Sequence, residues 1–133
     1  MRKVLIPIDW SENAEKAFDW YIYNLHQKGT QLVLTHFIEA SKEKELLEKE
    51  VKLLELQEMY ENRLVQMKID YIWLTGNSGS PGEYITKVSK DEDVDMIVMG
   101  ARGLGKIKKT ILGSVSDYVL SKSKVPVLLF KSV

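Results

Sequence analysis

The apolar residues of this chain fall into two alternating rhythms. Short runs rich in β-branched residues predict strands, and segments with apolar residues every three or four positions predict amphipathic helices. Val4 to Ile8 is the first run, read as a strand buried on both faces. Ser11 then caps a helix to about Gln27, with Ala14, Ala17, Phe18, Tyr21, Ile22 and Leu25 on one stripe and Gly29 as its stop. Leu32 to Ile38 is a second strand. A helix capped by Ser41 follows to about Met67, its inner face assigned to Leu46, Leu47, Val51, Leu54, Tyr60, Leu64 and Met67. Ile69 to Leu74 is a third strand, and Thr75 to Gly79 a loop. Ser80-Pro81-Gly82-Glu83 then starts a helix, with Ser80 as cap, Pro81 in the first helical position and Glu83 closing a capping box. Val94 to Met99 is the fourth strand. Ser114, with Asp117 three residues on, caps a helix to about Lys122, and Val125 to Phe130 is the fifth strand. Pro126 near its start places it at a sheet edge, where a missing N–H costs nothing. Strand and helix in alternation predict a single α/β domain with an open five-stranded parallel sheet and helices on both faces.

The bulk numbers remove several alternatives. A chain of 133 residues fits one domain. Nineteen basic residues balance nineteen acidic ones, so there is no long-range pull on nucleic acid or anionic lipid, and any anion site must be local. With no cysteine there are no disulfides or thiolate metal sites. No apolar run approaches the ~20 residues of a membrane span. Pro7 and Asp9 interrupt the N-terminal apolar stretch before it could serve as a signal peptide, which sets the expectation of a cytoplasmic protein.

Open α/β sheets bind ligands beyond the carboxyl ends of their strands. There the segment from Met99 and Gly100 onward is the informative one. Gly100, Gly103 and Gly105 lie within six residues, and Arg102, Lys106, Lys108 and Lys109 follow with no acid among them. Glycines let successive backbone N–H groups face an anion. Gly113-Ser114 opens a helix, whose free N–H groups and dipole favour negative charge, and Ser114 and Ser116 add hydroxyls. The combination points to a polyphosphate. A dinucleotide fingerprint fails, because Lys108 stands where its third glycine would be and the segment follows the fourth strand. A P-loop runs from Gly100 to Lys106 and fails at Ile107, where the Mg²⁺-binding hydroxyl would stand.

The spacing Gly100, two residues, Gly103, nine residues, Gly113-Ser114 resembles the ATP-binding motif of the universal stress protein family. The likeness extends to Val4-Leu5-Ile6-Pro7-Ile8-Asp9, Thr35-His36-Phe37, Gly79-Ser80-Pro81, Val94 to Gly100, Gly113-Ser114-Val115-Ser116 and Val125-Pro126-Val127. It implies a Rossmann-like sheet in the order 3-2-1-4-5 and a homodimer through the last strand, Val125 to Phe130. It further implies that Pro7, Ile8 and Asp9 lie by the adenosine and that Phe37 lies against the adenine, where a smaller apolar residue is common. Gly100, Arg102 and Gly103 would approach the ribose and phosphates, and Gly113, Ser114, Val115 and Ser116 would hold the phosphate chain. The function expected is that of an ATP-binding stress-response regulator, with ADP or AMP as other ligands and Mg²⁺ accompanying the nucleotide.

Other readings stand beside this one. The chain could be a dimeric interaction module that uses no nucleotide, or a slow ATP hydrolase or phosphotransferase. No nucleophile and base pair up in the sequence, so no catalytic residue is assigned. His36 reads as a packed, hydrogen-bonded residue, and His26 as a cation suited to a helix end. Two histidines and no cysteine assign no metal site. Trp10, Trp20 and Trp73 read as packing residues, with Trp10 singled out because it follows Asp9 at the expected mouth of the site.

Overall fold

The computed structural model describes residues 1–39, 43–101 and 113–131. Its elements are β1 (Lys3–Pro7), α1 (Glu12–Asn24), β2 (Gln31–Phe37), α2 (Glu43–Met67), β3 (Tyr71–Gly76), α3 (Pro81–Asp91), β4 (Met96–Gly100), α4 (Ser114–Lys122) and β5 (Val127–Phe130). The strands form one parallel sheet in the order β3-β2-β1-β4-β5. The five-stranded α/β architecture and the strand order are as expected from the sequence.

The sheet divides the core into two layers by side-chain alternation. Val4, Ile6 and Ile8, Leu32 and Leu34, and Val98 face α1 and α2, where they meet Phe18, Tyr21, Leu56 and Tyr60. Leu5, Val33, Ile97 and Met99 face the other way, towards Ile85 and Val88 of α3 and Val119 of α4. The near-continuous apolar runs of the strands have this cause: both of their faces are covered.

Local chemistry explains two of the helix starts. Ser11 caps α1, its Oγ accepting from the Ala14 N–H at 3.1 Å. Ser80 caps α3 the same way, accepting from the Glu83 N–H at 3.3 Å, and Pro81 fills the first helical position. α4 differs from expectation. Gly113, extended at φ −64° and ψ 156°, is the N-cap, and Ser114 is already helical. α1 also stops earlier than expected, at Asn24, and Gly29 (φ +93°) serves the turn into β2 instead. Ser41 lies outside the described residues.

The inner face of α2 requires a larger correction. Leu53, Leu56, Tyr60 and Leu64 are buried, whereas Val51 and Leu54 are about two-thirds exposed (59% and 65%) and Met67 is exposed too. Tyr60 and Leu64 are buried as expected, but Leu53 and Leu56 take the inward places assigned to Val51 and Leu54, because the helix carries apolar residues on more than one side. Two single residues also depart from expectation. Trp20 is exposed rather than packed. His26 follows α1 with its Nδ1 2.9 Å from the Tyr21 hydroxyl, and burial holds its pKa below the usual 6.5, which works against the cation expected at the helix end.

The start of β1 is clamped to the segment before β4. The Asp95 carboxylate accepts from the Arg2 N–H at 2.7 Å and the Lys3 N–H at 3.0 Å. These bonds, that from Lys3 first, hold its pKa below the usual 3.8. A depressed carboxyl pKa adds stability above the unfolded-state value, and that stability is lost as the pH falls through 3.8 and on to the folded value. Asp95→Asn keeps an acceptor oxygen but no charge. Its stability deficit against the parent, measured by urea unfolding across pH, is expected to be constant well above 3.8 and to shrink below it.

Candidate functional site

The strand order reverses direction at β1, which has β2 on one side and β4 on the other. Such a switch point leaves a crevice at the carboxyl ends of the strands. A cavity of about 340 Å³ opens there. Residues at the ends of three strands form its floor: Pro7 and Ile8 at the end of β1, Phe37 and Ile38 at the end of β2, and Met99 and Gly100 in β4.

The turn after β1 is held rigidly. Asp9 Oδ1 accepts from the Ser11 N–H at 2.7 Å, and Ser11 in turn caps α1. Asn13 of α1 donates from Nδ2 to the carbonyl of Ala101, tying the first helical turn to the end of β4. Gly100 fits beneath this contact. A Cβ on Gly100 would lie 2.6 Å from the backbone carbonyl carbon and oxygen of Asn13. The absence of a side chain at this position thus serves the packing of α1 against β4.

Two of the lining side chains form an aromatic pair. The rings of Phe37 and Tyr84 lie 5.9 Å apart, tilted by 48°. Gly76 makes room for Tyr84, because a Cβ there would fall 2.3 Å from that ring. Burial raises the pKa of the Tyr84 hydroxyl, which keeps the ring neutral. His36 donates from Nδ1 to the carbonyl of Ile8 at 2.7 Å, since a carbonyl only accepts. This is the packed, hydrogen-bonded role expected of it, although the residue also lines the cavity.

The site residues expected from the sequence separate into three groups. Pro7, Ile8, Asp9, Phe37, Met99, Gly100 and Val115 come together around the cavity. Gly113, Ser114 and Ser116 stand beside it at the start of α4 without lining it. Arg102 and Gly103, with Gly105, Lys106, Lys108 and Lys109, lie outside the described residues.

The amino terminus of α4 fits an anion. Its cap, Gly113, gives no side-chain hydrogen bond to the first turn. Ser116 Oγ is fully buried and has no hydrogen-bond partner among the described residues. The positive dipole end of a helix beside a buried hydroxyl that has no partner among the described residues suits a phosphate group.

The sequence pattern missed the walls contributed by α2 and α3. Lys49, Lys52 and Leu53 reach the cavity from α2, and Pro81, Tyr84 and Ile85 reach it from α3. Lys49 Nζ donates to the carbonyl of Glu39, fastening α2 to the segment that leaves β2. Only Pro81 carried a local signal, as part of Gly79-Ser80-Pro81. Among the described residues, no group of three or more His, Asp or Glu gathers to hold a metal ion. No described helix is long and apolar enough to cross a membrane.

Residues 1–131 match the model of the Universal stress protein family. The chain belongs to that family. Among universal stress proteins, MJ0577 of Methanocaldococcus jannaschii is 31% identical over 157 aligned positions, covering 98% of this chain and 94% of its own. The solved structure of MJ0577 superposes with a TM-score of 0.68 over 99% of this chain and 96% of its own, at 33% identity. The crystal structure of hypothetical protein PH0823 gives 0.77 at 30% identity, covering 99% and 96%. A universal stress protein family protein of Arabidopsis thaliana, solved with AMP bound, gives 0.78 at 19% identity, covering 100% and 93%. At that identity the likeness is one of fold.

Proposed function

We propose that this universal stress protein is a nucleotide-responsive regulator that binds ATP, or ADP or AMP, in the cavity at the switch point. The observation that carries this reading is the convergence of Pro7, Ile8, Asp9, Phe37, Met99, Gly100 and Val115 on one cavity beside the uncapped start of α4. Pro7, Ile8 and Asp9 would flank the adenosine, and the Phe37–Tyr84 pair would receive the adenine. The amides of Gly113, Ser114 and Val115, with the Ser116 hydroxyl, would hold the phosphates, and Gly100, Arg102 and Gly103 would complete their enclosure. The AMP held by a protein of the same fold supports the choice of an adenine nucleotide. Mg²⁺ would enter with the phosphates and neutralise part of their charge. On this reading residues 1–133 are one nucleotide-binding domain, and no residue is assigned to hydrolysis.

The same proposal includes a homodimer through β5. Among the described residues that strand pairs only with β4, and all four of its residues are partly exposed, so it presents an open edge that a second copy would cover. Native mass spectrometry of the purified protein tests both halves. A dimer mass with about one adenine nucleotide per subunit is expected after incubation with ATP. A monomer that carries no nucleotide would overturn the reading.

A further inference from the structure

We propose that Trp10 forms one jaw of an aromatic clamp on the nucleobase and gives the site a preference for purine over pyrimidine nucleotides. The inference rests on the nucleotide reading above and goes beyond it to the residue that selects the base.

Three observations carry it. Trp10 lines the cavity with 54% of its surface exposed. The exposed part of the indole is open to a ring that enters the cavity. The Trp10 backbone is spanned by the bond from the Ser11 N–H to Asp9 Oδ1 at 2.7 Å, and Ser11 is itself held as the cap that accepts from the Ala14 N–H at 3.1 Å. The ring therefore projects from a rigid turn, which lowers the ordering cost of binding. Finally, the aromatic groups come from opposite layers. Trp10 leads into α1, which packs on one face of the sheet, and Tyr84 belongs to α3 on the other. Phe37 lies against Tyr84, with ring centroids 5.9 Å apart. A flat ring bound in the cavity would have Trp10 on the α1 side and the Phe37–Tyr84 pair on the α3 side. Stacking is tolerant of base identity but grows with ring area, so the two-ring purine gains most.

Calorimetric titration of the full chain with ATP and with UTP, for the parent, Trp10→Phe and Trp10→Ala, tests the clamp. The melting temperature of each variant confirms that it folds. The parent is expected to bind ATP more tightly than UTP. Trp10→Ala is expected to weaken ATP by about tenfold and UTP by less, while Trp10→Phe stays near the parent. ATP is expected to quench tryptophan emission in the parent, and in Trp10→Phe, which keeps Trp20 and Trp73, the quench is expected to be lost. Two results would overturn the clamp and leave the nucleotide reading standing: unchanged ATP affinity in Trp10→Ala, or equal losses for ATP and UTP. A parent that binds neither nucleotide would overturn both.

Discussion

Phe18→Ala is expected to lower the unfolding free energy by about 3–5 kcal/mol, the cost of emptying a fully buried aromatic site. Phe18 is inaccessible to solvent and joins three parts of the fold. It lies on α1 and meets Val4, Ile6 and Ile8 of the first strand region. Its ring packs edge-on against Tyr60 of α2, with centroids 5.0 Å apart and planes at 85°. The Arg63 guanidinium sits 4.9 Å from its centroid and is held there by an ion pair with Asp19. Truncation removes the partner of Tyr60 and the aromatic face under Arg63 together. Neither helix can close the gap without leaving the sheet, so little relaxation offsets the loss. Equilibrium unfolding in urea measures the effect, and a deficit below about 1 kcal/mol would show that the α1–α2 layer is not built around this ring.

The second large effect is expected from Gly100→Ala, at about 1–3 kcal/mol of stability, with weakened nucleotide binding as well. The added methyl would lie 2.6 Å from the carbonyl carbon and oxygen of Asn13 and 3.0 Å from the Ala14 nitrogen. All three atoms are backbone in the first turn of α1, so no side-chain rotation relieves the clash. The helix start must shift away from β4, which strains the bond from Asn13 to Ala101 and carries the Asp9–Ser11 turn with it. Because that turn forms part of the cavity wall, a change made for packing reaches the site. Thermal melts with and without ATP separate the two effects. A variant as stable as the parent would mean that α1 does not press on Gly100 as closely as described.

These two residues also mark what the sequence makes legible. Phe18 stands on a clean helical stripe and was assignable to the core from spacing. Gly100 was singled out too, but as a place where a ligand comes close. Its tight neighbour within the protein is α1, a relation between β4 and a helix more than eighty residues earlier that no local pattern encodes. The caps Ser11 and Ser80 were readable because each acts within three residues of itself. α4 was misread by one position because a hydroxyl next to a glycine looks like a cap, while the extended backbone of Gly113 takes that place.

The longer-range errors have the same origin. In α2 the stripe through Val51 and Leu54 and the stripe through Leu53, Leu56, Tyr60 and Leu64 are both apolar enough to face a core. Only docking against Phe18 and the sheet decides between them. β3 ends at Gly76 rather than Leu74 because β2 continues to pair with it, up to Phe37 opposite Gly76. The floor of the cavity could be named in advance because it follows from where parallel strands end. The walls supplied by Lys49, Lys52 and Tyr84 could not, since they depend on how α2 and α3 lean over that floor.

A thermal melt of the purified protein with and without Mg·ATP is the most direct test of a nucleotide site at the switch point. With ligand at one hundred times its dissociation constant, binding to the folded state alone adds ~2.7 kcal/mol, a rise in Tm on the order of 10 °C for a domain of this size. A Tm that does not move at millimolar ATP would contradict the assignment of the cavity.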